Sequence, residues 1–242
     1  MPRNNVLADT WLVFARVTLP VLRNPVAVVL GLAQPLLYLG LFGPLLGDGG
    51  WQWFVPGLLV QMALFGTAYA GFSLLPEVRT GVLERLRVTP VSRVALLVGR
   101  VGKDVVLLVV QSLLIVLAAT LFGFHASPGE VLLGLGLVAL LGVAIGSASY
   151  AVALKVKLEY VFASVLSAVI VPLMLLSGVL LPMSNGPRWL YWLSRANPLA
   201  HVVDAERSIF TTGSALYGLV AVTLLVLAGI AYGVRTFHRE SA

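Results

Sequence analysis

VLLGLGLVALLGVAIGSASYAVAL, residues 131–154, carries no charged side chain. A membrane-crossing helix needs about 20 predominantly apolar residues, and this run supplies them without interruption. In lipid only helices and closed barrels satisfy their own backbone. Barrel strands alternate in polarity over about ten residues. The neighbouring stretch Val105-Val106-Leu107-Leu108-Val109-Val110 shows no such alternation, so the helix is the expected unit.

The pattern repeats along the chain. Charge-free runs cover 24–47, 49–76, 105–129, 131–154, 160–187 and 208–234. Each is long enough for one spanning helix and too short for two. The expected spans are Val26–Leu46, Phe54–Leu75, Val105–Phe124, Val131–Leu154, Tyr160–Leu181 and Leu216–Val234. The 242 residues are 59% hydrophobic and 11% charged, with a mean hydropathy of +0.98. Soluble domains carry about 25% charged residues, so a soluble globular domain is excluded, and so is disorder. The fold class is all-α: a polytopic membrane protein with six transmembrane helices. No cysteine is present, which removes disulfides, thiolate metal sites and cysteine nucleophiles. Arginine outnumbers lysine 13 to 3, a bias of GC-rich bacterial genomes.

Charge sets the orientation. Arg3, Arg16, Arg23, Arg79, Arg85, Arg87, Arg93, Arg100, Lys103, Lys155, Lys157, Arg235 and Arg239 fall on one side of the spans. Arg188, Arg195 and Arg207 fall on the other. The positive-inside rule places both termini in the cytoplasm. Topology therefore explains the net charge of +6 and no nucleic-acid partner is needed. No removable signal peptide is expected. Residues 5–23, with Trp11, Phe14 and Leu22 beside Arg16 and Arg23, suit an interfacial helix on the cytoplasmic surface. The expected organisation is one transmembrane domain over 1–242. It comprises an interfacial helix at 1–25, spans at 26–76, a cytoplasmic segment at 77–104, spans at 105–181, an outer loop with short helices at 182–213, a span at 214–234 and a tail at 235–242.

Ion- and proton-coupled transporters keep ionisable residues inside their spans. The six spans here hold none; their polar residues are Gln34, Gln61, Gln111, Ser147, Ser149, Ser164, Ser167 and the like. No hydrolytic constellation occurs: His125, His201 and His238 lie in separate segments. His201 and Asp204 sit three apart, which reads as a solvated helix face rather than a metal ligand set. Gly99-Arg100-Val101-Gly102-Lys103-Asp104 lacks both the glycine spacing and the final Ser or Thr of a phosphate-binding loop. Gly134-Leu135-Gly136 and Gly142-x-x-x-Gly146 read as helix-packing faces. The chain is thus expected not to be an enzyme and to hold no metal or cofactor of its own.

The most informative stretch is EVRTGVLERLRVTPVSR, residues 77–93. Val78, Val82 and Leu86 recur every four residues with Leu83 beside them, giving a helix with one apolar stripe. Glu84 and Arg87 can pair on its polar side. Pro90 should stop it near Val88–Thr89, and Ser92 can cap a following helix. On that second helix Arg93, Arg100 and Lys103 share a face that suits snorkelling toward the cytoplasmic interface. An amphipathic helix lying on the surface is shaped to dock in a partner's groove, although a plain basic loop would fix topology equally well.

Glu77-x-x-x-Gly81-x-Leu83-Glu84-Arg85-Leu86-x-Val88-Thr89-Pro90-Val91 resembles the signature of permease subunits of type-2 ABC exporters, above all the daunorubicin-resistance-like branch. Val78 and Arg79 replace that pattern's Arg-Glu, and Val82 replaces its Thr. A second resemblance lies in Leu181-Pro182, Pro187-Arg188-Trp189-Leu190, Asn197-Pro198-Leu199-Ala200-His201 and Arg207, which are similar to the family's last outer loop. There, short re-entrant helices precede span 6. Trp189, Tyr191 and Trp192 also read as interface anchors, and Asn197-Pro198 as an N-cap followed by Pro at the first helical position.

The resemblance implies a transmembrane permease subunit of an ATP-driven exporter. Residues 77–90 would form the coupling helix, with Glu77, Gly81, Leu83, Glu84, Arg85, Leu86 and Pro90 at the contact with a separate ABC ATPase. ATP and Mg would be held by that ATPase. A second permease copy or a paralogue would complete the pore, in a bacterial inner (plasma) membrane. The cargo would be a hydrophobic or amphipathic drug-like molecule or lipid, met by spans 1, 2 and 5. A polysaccharide or lipid-linked glycan exporter of the same superfamily, a non-transporting membrane scaffold and a secondary transporter are the alternatives.

Overall fold

The computed structural model describes residues 6–46, 50–82, 92–211 and 216–239. The described residues are helical or in turns, with no strand among them. Helix α1 covers Val6–Leu22 and α2 Pro25–Phe42, the latter extended by a 3-10 turn at Gly43–Leu45. Helix α3 covers Gly50–Ala68; a 3-10 segment at Tyr69–Leu74 joins it to α4, Leu75–Arg79. Then follow α5 (Arg93–Thr120), α6 (Pro128–Val156), α7 (Glu159–Leu176), α8 (Arg188–Ala196), α9 (Pro198–Thr211) and α10 (Leu216–Arg239).

Among the described residues, five helical runs are long and apolar enough to cross a membrane: Gly50–Arg79, Val94–Thr120, Pro128–Val156, Glu159–Leu176 and Leu219–Thr236. The first expected span coincides with α2 and its 3-10 extension, of which Gly31–Leu45 is an apolar portion. Helix α3 lies at the centre, with every residue from Phe54 to Leu64 buried. An all-round apolar helix buries all its faces, and this one is surrounded by α5, α6 and α9. Helix α6 is the second hub, flanked by α10, α5 and α3.

Local sequence accounts for the helix boundaries. Ser127 and Glu130 form a capping box: the Glu130 N–H donates to Ser127 Oγ at 3.3 Å, and the Ser127 N–H donates to Glu130 Oε2 at 2.7 Å. Pro128 follows at the first helical position, where its missing N–H costs nothing. Ser92 caps α5, as expected, by accepting from the Ala95 N–H at 3.0 Å. That helix begins twelve residues before the expected span, so most of the second half of the cytoplasmic segment is its first turns.

The second span breaks at Tyr69–Leu74. In lipid each freed backbone group needs a partner. Ser149 of α6 supplies two: its Oγ accepts from the Gly71 N–H at 3.0 Å and donates to the Ala68 carbonyl.

Glycine contacts redistribute the expected packing faces. Gly142 and Gly146 do pack closely, against Thr67, Leu108 and Val101 of α3 and α5. Gly134 packs on Phe210, whereas Gly136 has nothing within 4 Å. The tightest approach is one the sequence reading passed over. Gly229 of α10 lies directly against the backbone of Ala144, and Gly233 against Ser147. This Gly-x-x-x-Gly pair joins α10 to α6 within the chain.

Candidate functional site

Among the described residues, three places concentrate polar chemistry. The first is the end of the second span expected to face the cytoplasm. Glu77 lies in the last turn of α4, and its carboxylate accepts from Arg100 Nη2 of α5. The Arg100 side chain is 3% exposed and that of Glu77 24%. The snorkelling expected of Arg100 is therefore not observed. It turns inward because the carboxylate one helix away gives it an ion pair that the lipid interface would not. One residue pair further out, Arg79 Nη1 meets Glu159 Oε1 of α7 at 3.2 Å, both about half exposed. Deeper in, Tyr150 donates to Asp104 Oδ2 at 2.5 Å, Lys103 Nζ lies 2.6 Å from Asp104 Oδ1, and Ser73 Oγ sits 3.3 Å from the Tyr150 hydroxyl. A cavity of about 290 Å³ opens here between Arg16, Glu77, Arg100 and Lys103.

Helix α4 ends at Arg79, and Thr80–Gly81 form a turn. Gly81 adopts φ +69°, a left-handed conformation that glycine reaches without steric cost. Val78 and Val82 thus lie on either side of a turn, and the expected apolar stripe does not run through them as one helix. A turn therefore stands where the coupling helix was expected to run through Gly81. Leu83, Glu84, Arg85, Leu86 and Pro90 lie outside the described residues.

The second place is a cleft of about 460 Å³ between α2, α3 and α5. Three glutamines converge on it: Gln34, Gln61 and Gln111, one from each helix. Tyr38, Phe65 and Tyr69 line it as well, and no charged residue does. Gln34 donates to the Tyr38 hydroxyl at 3.3 Å. Gln61 is 5% exposed, and its carbonyl oxygen has no hydrogen-bond partner among the described residues. A buried acceptor left unpaired costs about 1–3 kcal/mol. The Gln111 amide lies over Gly31, where a Cβ would come within 2.6 Å of its nitrogen. Pro35, also in the wall, withholds the N–H that a helix offers to the carbonyl four residues back. The sequence marked all three glutamines as intramembrane polar residues; their convergence depends on helix register and was not readable. The third wall is α5, and no lining residue lies on α7. Tyr69 does reach the fifth span, its hydroxyl 3.2 Å from Ser167 Oγ of α7.

The third place, the outer segment, is built around α8 and α9. Asn197 caps α9 as expected: its Oδ1 accepts from the Leu199 N–H at 3.0 Å, and its Nδ2 donates to the Leu173 carbonyl at 2.7 Å. Asp204 pairs with Arg195 at 2.6 Å, and the His201 ring nitrogen lies 3.1 Å from the Arg195 carbonyl. Each of the two residues is engaged with Arg195. Arg207 donates to the carbonyls of Trp53, Gly178 and Val179 at 2.9–3.2 Å and stacks 4.0 Å over the Trp53 ring. Burial lowers its pKa to about 10, partly offset by Asp204. Glu206 is fully buried, with both carboxylate oxygens unpaired among the described residues, against Gly134 and Phe210. Desolvation raises its pKa well above the ordinary carboxylate range. Helix α9 therefore belongs to the core rather than to a surface loop.

Among the described residues, five helices long and apolar enough to cross a membrane, a cleft free of charged side chains between α2, α3 and α5, and ion pairs at both ends of the helices make a multi-pass membrane protein. A family model described as ABC-2 type transporter matches residues 8–211, and the chain belongs to that family. The putative transport permease ycf38 of Cyanophora paradoxa is 28% identical over 223 residues, 87% of this chain and 77% of its own length. The daunorubicin resistance ABC transporter permease protein DrrB1 of Streptomyces coeruleorubidus is 28% identical over 226 residues, 85% of this chain and 76% of its own. The probable doxorubicin resistance ABC transporter permease protein DrrC of Mycobacterium tuberculosis is 24% identical over 218 residues, 86% and 78% respectively. The chain is thus a transmembrane permease subunit of an ABC exporter. Permeases of this family work with a separate ATPase subunit and are not themselves enzymes.

Proposed function

We propose that this permease forms half of a six-plus-six-helix pore exporting an uncharged or weakly charged amphipathic compound, drug-like or lipid. Helix α2 with its 3-10 extension serves as its first span. Both termini face the cytoplasm, on the charge asymmetry of the loops, and the membrane is a bacterial inner (plasma) membrane. A second copy or a paralogue completes the pore. ATP and Mg act on the separate ATPase, whose closure moves the segment after Arg79. The observation that carries the cargo class is the relationship to a daunorubicin resistance permease over 85% of this chain. The charge-free lining of the midmembrane cleft supports it, because a permanent ion would find no counter-charge there.

The first experiment is mild-detergent purification of the tagged chain from its native cell with mass spectrometry of what accompanies it. A stoichiometric soluble ATPase bearing a phosphate-binding loop is the expected result. Glu84→Arg should then abolish ATP-driven transport while leaving expression and ATPase-subunit abundance intact. Full transport in that variant would refute the coupling role of residues 77–90.

A further inference from the structure

The three glutamines of the cleft lie near the middle of their helices: Gln34 in Pro25–Phe42, Gln61 within the run Gly50–Arg79, and Gln111 in Arg93–Thr120. Polar amides at that depth have no water to satisfy them. They make few bonds to one another. Gln34 reaches Tyr38, and the buried Gln61 carbonyl oxygen has no hydrogen-bond partner among the described residues. Helix packing alone does not call for them, since glutamines recruited to lock spans together bond across the interface. The space they border is about 460 Å³, within the 300–1,000 Å³ of small-molecule pockets. Phe65 and Tyr69 stack at 6.2 Å along one wall, giving a flat aromatic surface beside the amides.

We propose that the cleft between α2, α3 and α5 binds an uncharged, ring-bearing amphiphile that carries a hydroxyl group, which donates to the unpaired Gln61 carbonyl oxygen and lies within reach of the Gln111 amide lining the same cleft. The ring lies against Phe65 and Tyr69, and the polar group meets amides that can donate or accept. An alkyl chain would leave the Gln61 oxygen unpaired, and a cation would meet no carboxylate. The compound enters from the bilayer, and the role of the cleft as a cargo site rests on the exporter reading above.

The test uses three photoreactive probes of one size: 4-(hydroxymethyl)benzophenone, its apolar counterpart 4-ethylbenzophenone, and the cationic 4-(trimethylammoniomethyl)benzophenone. The full-length permease in phosphatidylcholine vesicles is irradiated with each, and labelled peptides are mapped by mass spectrometry. The hydroxymethyl probe should label peptides of α3 and α5 about fivefold more than either comparator, the factor one hydrogen bond is worth. Gln61→Met and Gln111→Met, near-isosteric changes, should each remove that preference. Unchanged labelling of the lipid-facing side of α10 by the ethyl probe shows that the variants remain folded. Equal labelling by hydroxymethyl and ethyl probes, or a preference that survives both variants, would overturn the site. A second arm adds the ATPase subunit trapped with ATP and vanadate. Labelling of a cargo site should fall, and undiminished labelling would overturn the cargo role in favour of a resident lipid. The first arm needs no ATPase, so failure of the exporter reading shows in the purification experiment and failure of the site shows here.

Discussion

Stranding either partner of the Glu77–Arg100 pair should not cost the same. Glu77→Gln leaves a guanidinium that is 3% exposed and whose Nε already lacks a partner. A buried charge without its counter-ion costs about 3–5 kcal/mol. Arg100→Met leaves a carboxylate that is 24% exposed and shares its cavity with Arg16 and Lys103. Water and those cations can take up the charge, so the expected loss is about 1–3 kcal/mol, near that of an unpaired polar group. The combined Glu77→Gln, Arg100→Met variant removes both charges together and should recover about 2 kcal/mol relative to the sum of the singles. For a chain of this size 1 kcal/mol moves the midpoint by about 2–4 °C, so Glu77→Gln should melt roughly 6–20 °C low. Tryptophan-fluorescence melts of the purified permease in one detergent would measure all four proteins. Arg100→Met costing more than Glu77→Gln, or strict additivity in the cycle, would refute the inference that Arg100 depends on Glu77.

Two further outcomes can be checked with the same melts. Gly229→Ala drives a methyl into the Ala144 backbone and should cost about 1–3 kcal/mol, whereas Gly136→Ala, with nothing within 4 Å, should be neutral or stabilise by up to about 1 kcal/mol. Because burial raises the Glu206 pKa, the folded state holds a proton that the unfolded chain has lost above its ordinary value of about 4.5. Stability should therefore fall as pH rises from about 4.5 through the folded-state pKa. Glu206→Gln, which stays neutral, should flatten that slope; an unchanged slope would show that Glu206 is not its source.

Gaps between charges located the long helices because an unpaired charge in lipid is costly. The same logic separated the helix capped by Ser92 from the span expected at Val105, although α5 runs unbroken through both. Arg100, Lys103 and Asp104 look like a water-exposed segment until their partners Glu77 and Tyr150 are brought in by other helices, and hydropathy does not register a paired charge. Helix α9 was missed as a core element for the same reason: Asp204, Glu206 and Arg207 gave it the composition of a loop. Some signals were local and legible. Ser92 and Asn197 were read as caps and act as caps, while the Ser127-x-x-Glu130 capping box stood in the sequence unread. The glutamine cleft lay beyond local reading. It needs Gly31 to admit the Gln111 amide and the registers of three helices to coincide, neither of which a periodicity encodes.

The two ion pairs at the end of α4 differ in what they can transmit. Arg79–Glu159 is about half exposed on both sides, and such pairs contribute about 0–1 kcal/mol. A displacement at the Thr80–Gly81 turn would break it before moving α7. Glu77–Arg100 is largely buried, and separating it would strand the guanidinium, so α5 must follow α4. Arg100 and Gln111 lie on the same unbroken helix, Arg93–Thr120, eleven residues apart. At 1.5 Å per residue that is about 16 Å. In the proposed mechanism a push delivered after Arg79 therefore reaches the midmembrane cleft through the rigid body of α5. The side chain it displaces first is the Gln111 amide, which faces Gly31 of α2 so closely that a Cβ there would push the amide aside. Lengthening Gly31 by one methyl should on this reasoning reduce ligand affinity in the cleft and uncouple ATP turnover from transport together, since both use the same narrow contact between α2 and α5.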